Sequence, residues 1–474
     1  MKYKTVLILY FLVCQPGCNQ SGESQDQGPI KLISSSPIQE NVSISVFNVF
    51  SSNNRYYAER DSSGNIFLEI PRIKAGIAHL QVPGISTKLY IMPYDTIHIA
   101  LQSNNGQRFF HFTGNNDAQY NFFHELSSLE LSRPTFSDNI KEYKALCDEF
   151  YNTQKRFVRE YAHTYEVSNH FIDDINTELL YEWLNWLIIP VRNKKITLEE
   201  IPVNYFPDTI AIDDFNNDKL LNSKAFTLAF HYYIGNYFTK STTYFQANEL
   251  HKHINLINKK LTGNTYEYAL MSAIKIFNNN LLPENIKPLQ FIIEKHRNKI
   301  NHEEFVKVIN DIERKLRLSY AKLPDSLSNI NLASLSGKNV KLGDLLKANK
   351  GTIVVLDIWA SWCYWCFYDM EKAEDFKNDL VRHENVKWVY LSIDKHKDIN
   401  KWKKLSKEKK ELGLSENQYL IDENHLSVFS AFFDIDSGIP KYIIFNSKGD
   451  LVLPNGPRPT NNELFKKAIK QIKL

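Results

Sequence analysis

The stretch ASWCYWCF, from Ala360 to Phe367, holds two of the five cysteines in the chain, Cys363 and Cys366, with Tyr364 and Trp365 between them. Two positions three apart on a helix lie on the same face, one turn from each other. The second thiol can therefore attack a mixed disulfide formed by the first. The chemistry open to such a pair is two-step thiol–disulfide exchange, in which Cys363 attacks or is attacked and Cys366 resolves the intermediate. Thiolate is the reactive form, and the unpaired N–H groups and positive dipole end of a helix N-terminus favour it. A lone C-x-x-C is a weak signal. It becomes a strong one after a buried strand and at a helix start.

The flanking sequence supplies those elements. GTIVVLDIW is a continuous apolar run bounded by Gly351, which suits a strand covered on both faces. Phe367, Met370, Ala373, Phe376 and Leu380 follow at helical spacing. VKWVYLSI reads as a second buried strand, and YIIFNSKGDLVL as two strands around a turn at Lys448 and Gly449. Glu463 to Leu474 is an amphipathic helix with Leu464, Phe465, Ala468, Ile469 and Ile472 inward. Alternating strands and helices followed by a hairpin and a helix predict an α/β layer with a mixed sheet.

VVLDIWASWCYWC resembles the active-site segment of thioredoxin-like proteins, matched at Trp359, Ala360, Trp362, Cys363 and Cys366. SGIPKYIIFNSKGDLV resembles the cis-proline segment and hairpin of that family. The longer piece between them, Trp388 to Asp436, resembles the inserted helix and strand of the TlpA/ResA type of membrane-tethered thiol–disulfide oxidoreductase. The resemblance implies that Cys363 is the exposed nucleophile and Cys366 the buried resolving thiol. It makes Pro440 the cis-proline facing the cysteines. Ile439 then offers backbone groups to an extended substrate, and the loop keeps metals off the thiols. Asp357 matches the buried acid of thioredoxin. A carboxyl in an apolar strand has a raised pKa, which suits proton transfer with Cys366. Asp369 stands where the ResA type often carries a glutamate one methylene longer. Its alternative role is that of a first-turn acid on the helix dipole. Trp359 and Trp362 are expected to pack around the site, with Tyr364 and Trp365 either part of that packing or an exposed aromatic contact for an apolar partner. Two departures from the family stand out. A proline common before the second cysteine is replaced by Trp365, and a threonine common after the cis-proline by Lys441. The residues between the cysteines move the potential over a range from about −270 mV to about −120 mV. The resemblance implies no cofactor beyond the Cys363–Cys366 disulfide, and no metal.

The rest of the chain frames this piece. Its 474 residues exceed one hydrophobic core. MKYKTVLILYFLVCQPGC opens with Lys2 and Lys4 before an apolar run from Val6 to Val13, too short to span a bilayer of about 30 Å as a helix. This reads as an export signal. Cys18 after Gly17 resembles the bacterial lipoprotein processing site, where the cysteine is lipidated. Ordinary cleavage to a free secreted chain is the alternative. Either way the protein works outside the cytoplasm, where disulfide chemistry persists. The expected division is a signal peptide with its lipidation site at 1–18, a polar tether at 19–28, a β-sandwich at 29–114, an α-helical domain at 115–321 and a thioredoxin-like α/β domain at 322–474. Short alternating runs such as VSISVFNVF and GNIFLEI argue for antiparallel strands. Asp61, Asp95 and Arg55 are assigned to turns and exposed strand faces. Further on, Phe171, Ile175, Leu179, Trp183 and Trp186 share a helix face, and Phe226, Phe230, Tyr233, Tyr237 and Phe238 read as packing residues. Cys147 reads as a buried helical thiol. The whole layout resembles three-part bacterial envelope lipoproteins.

Composition excludes little beyond this. Lys plus Arg is 57 against 54 for Asp plus Glu, a formal charge of +3, which offers no electrostatic case for nucleic acid. The basic run from Lys395 to Lys410 reads as a solvated helix face. His251 and His253, two apart, fall on different helix faces and make a poor metal pair. The leading expectation is an envelope thiol–disulfide oxidoreductase, a reductase by analogy with the tethered family. It would act on protein thiols and disulfides, draw on a membrane electron donor and hold to the membrane by a lipid anchor. A binding or scaffolding lipoprotein with a regulatory redox site is the alternative. A thiol peroxidase ranks below both, because IWASWC lacks the Pro and Thr of such a loop.

Overall fold

The computed structural model describes residues 27–473 except 35, 51–54, 105, 194, 209, 240–246, 280 and 415. The export signal and Cys18 lie outside the described residues. The chain forms two compact units. One consists of the described residues of Met1–Phe47, Asn53–Arg133 and Asn152–Thr177, the other of those of Asn48–Ser52, Pro134–Tyr151 and Glu178–Leu474.

In the first unit, period-two alternation produces strands β1 (Gly28–Ser34), β2 (Ser43–Val46), β3 (Arg55–Tyr57), β4 (Glu59–Arg60), β5 (Ile66–Ile73), β6 (Gly76–Val82), β7 (Ile85–Ile91), β8 (Thr96–Asn104) and β9 (Gln107–Gly114). They make one sheet in the order β4-β5-β1-β8-β9 and another in the order β3-β2-β6-β7. Ile30, Leu32, Ile44, Leu68, Leu80, Ile97 and Phe112 share one core across both sheets, so the fold is a sandwich. The pairing is not wholly antiparallel: β1 runs parallel to β8. No hairpin joins these two strands, so nothing local sets their relative direction. Asp95 also departs from expectation. It is buried, accepting the Met92 N–H at 2.8 Å and the Asn116 amide at 2.7 Å, and so pins a turn from inside.

Helices α1 (Asp117–Ser127), α2 (Ile140–Thr164), α3 (Asn169–Arg192), α4 (Lys224–Tyr232), α5 (Ala247–Lys260), α6 (Gly263–Asn279), α7 (Ile286–His296) and α8 (Glu303–Arg317) follow. Phe226, Phe230 and Tyr233 are buried against Phe215, Tyr181 and one another, as packing residues should be. Trp183 and Trp186 are half-buried; the Trp183 ring N–H donates to Asp148 at 3.0 Å. Burial pushes the Cys147 thiol up to about 12. His253 is buried and His251 exposed.

The C-terminal part contains α9 (Asp325–Ser328), β10 (Asn331–Ser334), β11 (Asn339–Lys341), α10 (Leu342–Ala348), β12 (Ile353–Trp359), α11 (Tyr364–Lys372), α12 (Glu374–His383), β13 (Val386–Ser392), α13 (Ile399–Glu408), β14 (Gln418–Ile421), α14 (Glu423–Phe433), β15 (Lys441–Phe445), β16 (Leu451–Leu453) and α15 (Asn462–Lys473). Its sheet runs β11-β10-β14-β13-β12-β15-β16. Strands β12, β13 and β14 are parallel, while β15 and β16 are antiparallel additions. Every residue of β12 is buried, because helices cover both faces. Val354, Leu356 and Ile358 pack with Leu342, Leu346, Phe429 and Phe433 of α10 and α14. Val355 and Trp359 share the opposite core with Cys366, Met370, Leu380 and Phe465 of α11, α12 and α15. The α13 lysines face solvent around a buried Trp402, which accounts for the basic run. Within this unit α8 is fastened to α14: the Arg314 guanidinium lies 4.9 Å from the Phe432 ring centroid and donates to the Phe432 carbonyl at 3.4 Å. Lys467 of α15 pairs with Glu284 at 2.7 Å.

Candidate functional site

Strand β12 ends at Trp359, and a short turn leads to Cys363, which is the N-cap of α11. Its Sγ accepts the Cys366 backbone N–H at 3.1 Å. A sulfur here faces the unpaired donors of the first helical turn, a setting that favours negative charge. In this structure Cys363 and Cys366 form a disulfide. Across from it, the Ile439–Pro440 peptide is cis, and the Ile439 carbonyl oxygen lies 3.8 Å from Cys363 Sγ.

Asp394 holds the turn before Cys363. Buried Asp394 accepts the Ser361 N–H at 2.9 Å, the Ser361 hydroxyl at 2.8 Å and the Ser392 hydroxyl at 2.7 Å. Asp394 thus ties the end of β13 to the loop that presents Cys363. Nothing in its sequence context singled it out.

Exposure differs from the sequence-based expectation. Cys363 is only 5% exposed and Cys366 is fully buried. The cis-proline loop brings the Ile439 carbonyl within 3.8 Å of the first sulfur and helps to cover it. The aromatics behave oppositely: Trp362 is 61%, Tyr364 71% and Trp365 56% exposed, so they do not pack over the disulfide. Residues 362, 364 and 365 sit on the outer side of the turn and first helical turn, where the core offers no space. Of the named tryptophans only Trp359 is interior, its ring N–H donating to Gln418 at 3.0 Å and its face meeting Phe367.

On β12, Asp357 is fully buried, and its Oδ2 accepts from Lys377 Nζ at 3.2 Å. Oδ1 has no hydrogen-bonding partner among the described residues. Burial lifts this carboxyl above its usual range, against the pull of the Lys377 ammonium. Lys377 lies 4.5 Å and 4.6 Å from the ring centroids of Trp388 and Tyr390. The signal for it was present in the sequence: Lys377 and Leu380 fall on one buried face of α12, in line with Ala373 at its N-cap.

Asp369 is buried too, but it is engaged elsewhere. Arg458 donates Nε to Oδ2 at 2.7 Å and Nη2 to Oδ1 at 2.5 Å, and the Tyr442 hydroxyl donates at 3.0 Å. This is a bidentate fork, a strong arrangement. The first-turn alternative fails, because α11 begins at Tyr364 and has no acid in its first turn. Tyr442 stands opposite Asp357 in the β12–β15 register, so the two carboxylates flank one phenol. Burial, reinforced by Asp357 and Asp369, holds that phenol far above its usual range. Arg458 lies in the loop PNGPRPT, whose spacing carries no periodic signal.

Lys441 explains its departure from the family. Its ammonium donates to the carbonyls of Phe433 (3.2 Å) and Asp434 and pairs with Asp434 Oδ2 at 3.3 Å, closing the C-terminus of α14. Among the described residues no group of His, Cys, Asp or Glu could hold a metal ion, and no helix is long and apolar enough to cross a membrane.

Residues 323–452 match the model of the AhpC/TSA family. Solved structures similar to this chain include the thioredoxin domain of a thiol-disulfide oxidoreductase from Bacteroides vulgatus, at 23% identity over 32% of this chain and 99% of that one, with a TM-score of 0.25. A thioredoxin-like protein from Porphyromonas gingivalis is 23% identical over 33% and 94%, with a TM-score of 0.26. The exposed lipoprotein thioredoxin of Streptococcus pneumoniae is 19% identical over 30% and 97%, with a TM-score of 0.22. No curated protein matches the chain. By its strand order and by the family model that spans it, the C-terminal part of this chain is a thioredoxin-like domain of the AhpC/TSA family.

Proposed function

We propose that the protein is an envelope thiol–disulfide oxidoreductase that reduces disulfides in polypeptides with the Cys363–Cys366 pair. The observation that carries this reading is the position of that pair, with one sulfur capping a helix beside a cis-proline loop and the other a turn behind it. In the reduced enzyme the Cys363 thiolate attacks a substrate disulfide. The substrate S–S bond breaks, a mixed disulfide forms, and one substrate thiolate leaves with a proton. Cys366, deprotonated toward Asp357, then attacks Cys363 Sγ and expels the second substrate thiolate. Two electrons have passed to the substrate, and the enzyme is left with a Cys363–Cys366 disulfide. A dithiol donor at the membrane returns the electrons, and a lipid on Cys18 keeps the enzyme within its reach.

The test is insulin reduction by the full-length protein supplied with dithiothreitol. The Cys363→Ser protein is expected to lose turnover, and full activity in it would refute the assignment. The family match also admits a thiol peroxidase. Its demand for a Pro- and Thr-bearing loop before the cysteine goes unmet in Trp359–Trp362, and steady peroxide consumption by the purified protein would be needed to revive it.

A further inference from the structure

Helical residues of the second unit reach the loop that holds the cis-proline. A cleft of about 460 Å³ opens beside the cis-proline loop, lined by Gly438, Pro440 and Tyr442 on one side and by Asn278, Asn279 and Leu281 on another. The loop after β16, with Asn455 and Arg458, closes its far wall. Pockets of about 300–1,000 Å³ hold ligands of small-molecule to short-peptide size. At Gly438 the rim of the cleft is uncrowded, since a Cβ there would meet nothing within 4 Å.

The polar groups of this cleft say what fits it. Its charges are already matched by neighbours: Lys441 by Asp434, Arg458 by Asp369, and Lys315 by Asp311 at 2.5 Å. A charged ligand would have to break these pairs. Left over are the carboxamides of Asn278, Asn279 and Asn455, whose side chains are not hydrogen-bonded to any described residue. Each carboxamide offers two donors and an acceptor, the complement of a peptide group's C=O and N–H. The set therefore suits a neutral polar main chain.

We infer that the helical part completes a substrate groove, in which Asn278 and Asn279 at the end of α6, with Asn455 opposite, hold the main chain of an extended polypeptide segment adjoining the cysteine under attack. The inference deepens the proposed oxidoreductase reading and rests on it. It assigns a recognition role to helices that lie outside the thioredoxin-like domain. Because the contacts are to backbone, the groove selects unfolded or extended segments and tolerates many side chains.

The experiment compares full-length wild-type protein with the Asn278→Ala/Asn279→Ala variant on two substrates, insulin and a small aromatic disulfide that cannot extend into the cleft. The expected result is a fall of about tenfold in kcat/KM for insulin, equivalent to about 1.4 kcal/mol, with the small disulfide reduced at an unchanged rate. Asn279→Arg, which fills the cleft without removing a buried contact, is expected to show the same split. Equal insulin rates in all three proteins would overturn the inference, as would parallel losses on both substrates. Wild-type protein inactive on both substrates would instead overturn the oxidoreductase reading beneath it. A second readout uses the Cys366→Ser protein. Its mixed-disulfide yield should rise when a cysteine derivative is replaced by a peptide continuing past the cysteine, and the two asparagine substitutions should erase that gain.

Discussion

Replacing Lys377 with Met isolates the buried charge on β12. Among the described residues the Asp357 carboxylate has one polar contact, Lys377 Nζ at 3.2 Å, and its other oxygen has no partner. Methionine keeps the stem over Trp388 and Tyr390 but removes the counter-charge in direct contact. Breaking a buried ion pair costs about 3–5 kcal/mol, because the remaining charge is uncompensated. Asp357 can escape this cost by taking up a proton, so the loss must depend on pH. Burial already raises its folded pKa above the ordinary value of about 3.9. A carboxyl raised by folding contributes stability that is present below its unfolded pKa and is lost as pH rises through the folded pKa. Without Lys377 the folded pKa climbs further. The variant should therefore match the parent at the acid end and fall behind once pH exceeds the parent's folded value. Urea unfolding, followed by the fluorescence of buried Trp359, Trp388 and Trp402, measures this. The expected loss is about 3 kcal/mol or more at alkaline pH and little at acid pH. Asp357→Asn combined with Lys377→Met should recover most of it. A loss of the same size at both ends, or no recovery in the double variant, would refute the reasoning.

Asp394→Ala strands the Ser361 N–H and two hydroxyls, so unfolding free energy should drop by at least about 2 kcal/mol, and insulin turnover should fall as the turn before Cys363 loosens; unchanged turnover would show that Asp394 does not position the cysteine. Arg458→Ala leaves Asp369 buried without its fork and should cost about 3 kcal/mol in the same urea assay, with Arg458→Lys recovering only part, since an ammonium cannot bond both carboxylate oxygens in one plane. Replacing Trp362, Tyr364 and Trp365 together with Ser should change stability by no more than about 0.5 kcal/mol per site, because these rings are exposed, while raising KM for insulin; a large loss of stability would place them in the core after all.

The parts of this architecture that depend on one-dimensional pattern were legible from the residues. The apolar run of β12, the spacing of Met370, Ala373 and Leu380, and the turn at Gly449 each announce their element. Asp357 was visible as a lone acid in an apolar strand. What escaped depends on contacts distant in sequence. Asp394 and Ser361 are far apart along the chain, as are Arg458 and Asp369, and neither pairing leaves a local mark. The parallel pairing of β1 with β8 escaped for the same reason. Trp362 escaped because hydrophobic type argues for burial, whereas it occupies the outer side of a turn; for Tyr364 and Trp365 the structure shows the exposed alternative. Cys363 differs in the other direction: the resemblance implies an exposed nucleophile, yet the sulfur is buried and the cis-proline loop comes within 3.8 Å of it. Lys377 alone was missed with its signal in view, because a lysine on an apolar helix face is easily read as solvated.

The division of labour between the two sulfurs is tested most directly by trapping. The Cys366→Ser and Cys363→Ser proteins, reduced and then mixed with a disulfide-bonded polypeptide, are run on non-reducing gels, and the attached residue is located by peptide mapping. The account expects a stable adduct through Cys363 in the first protein and none in the second. An adduct through Cys366 in the Cys363→Ser protein, or none in either, would contradict it.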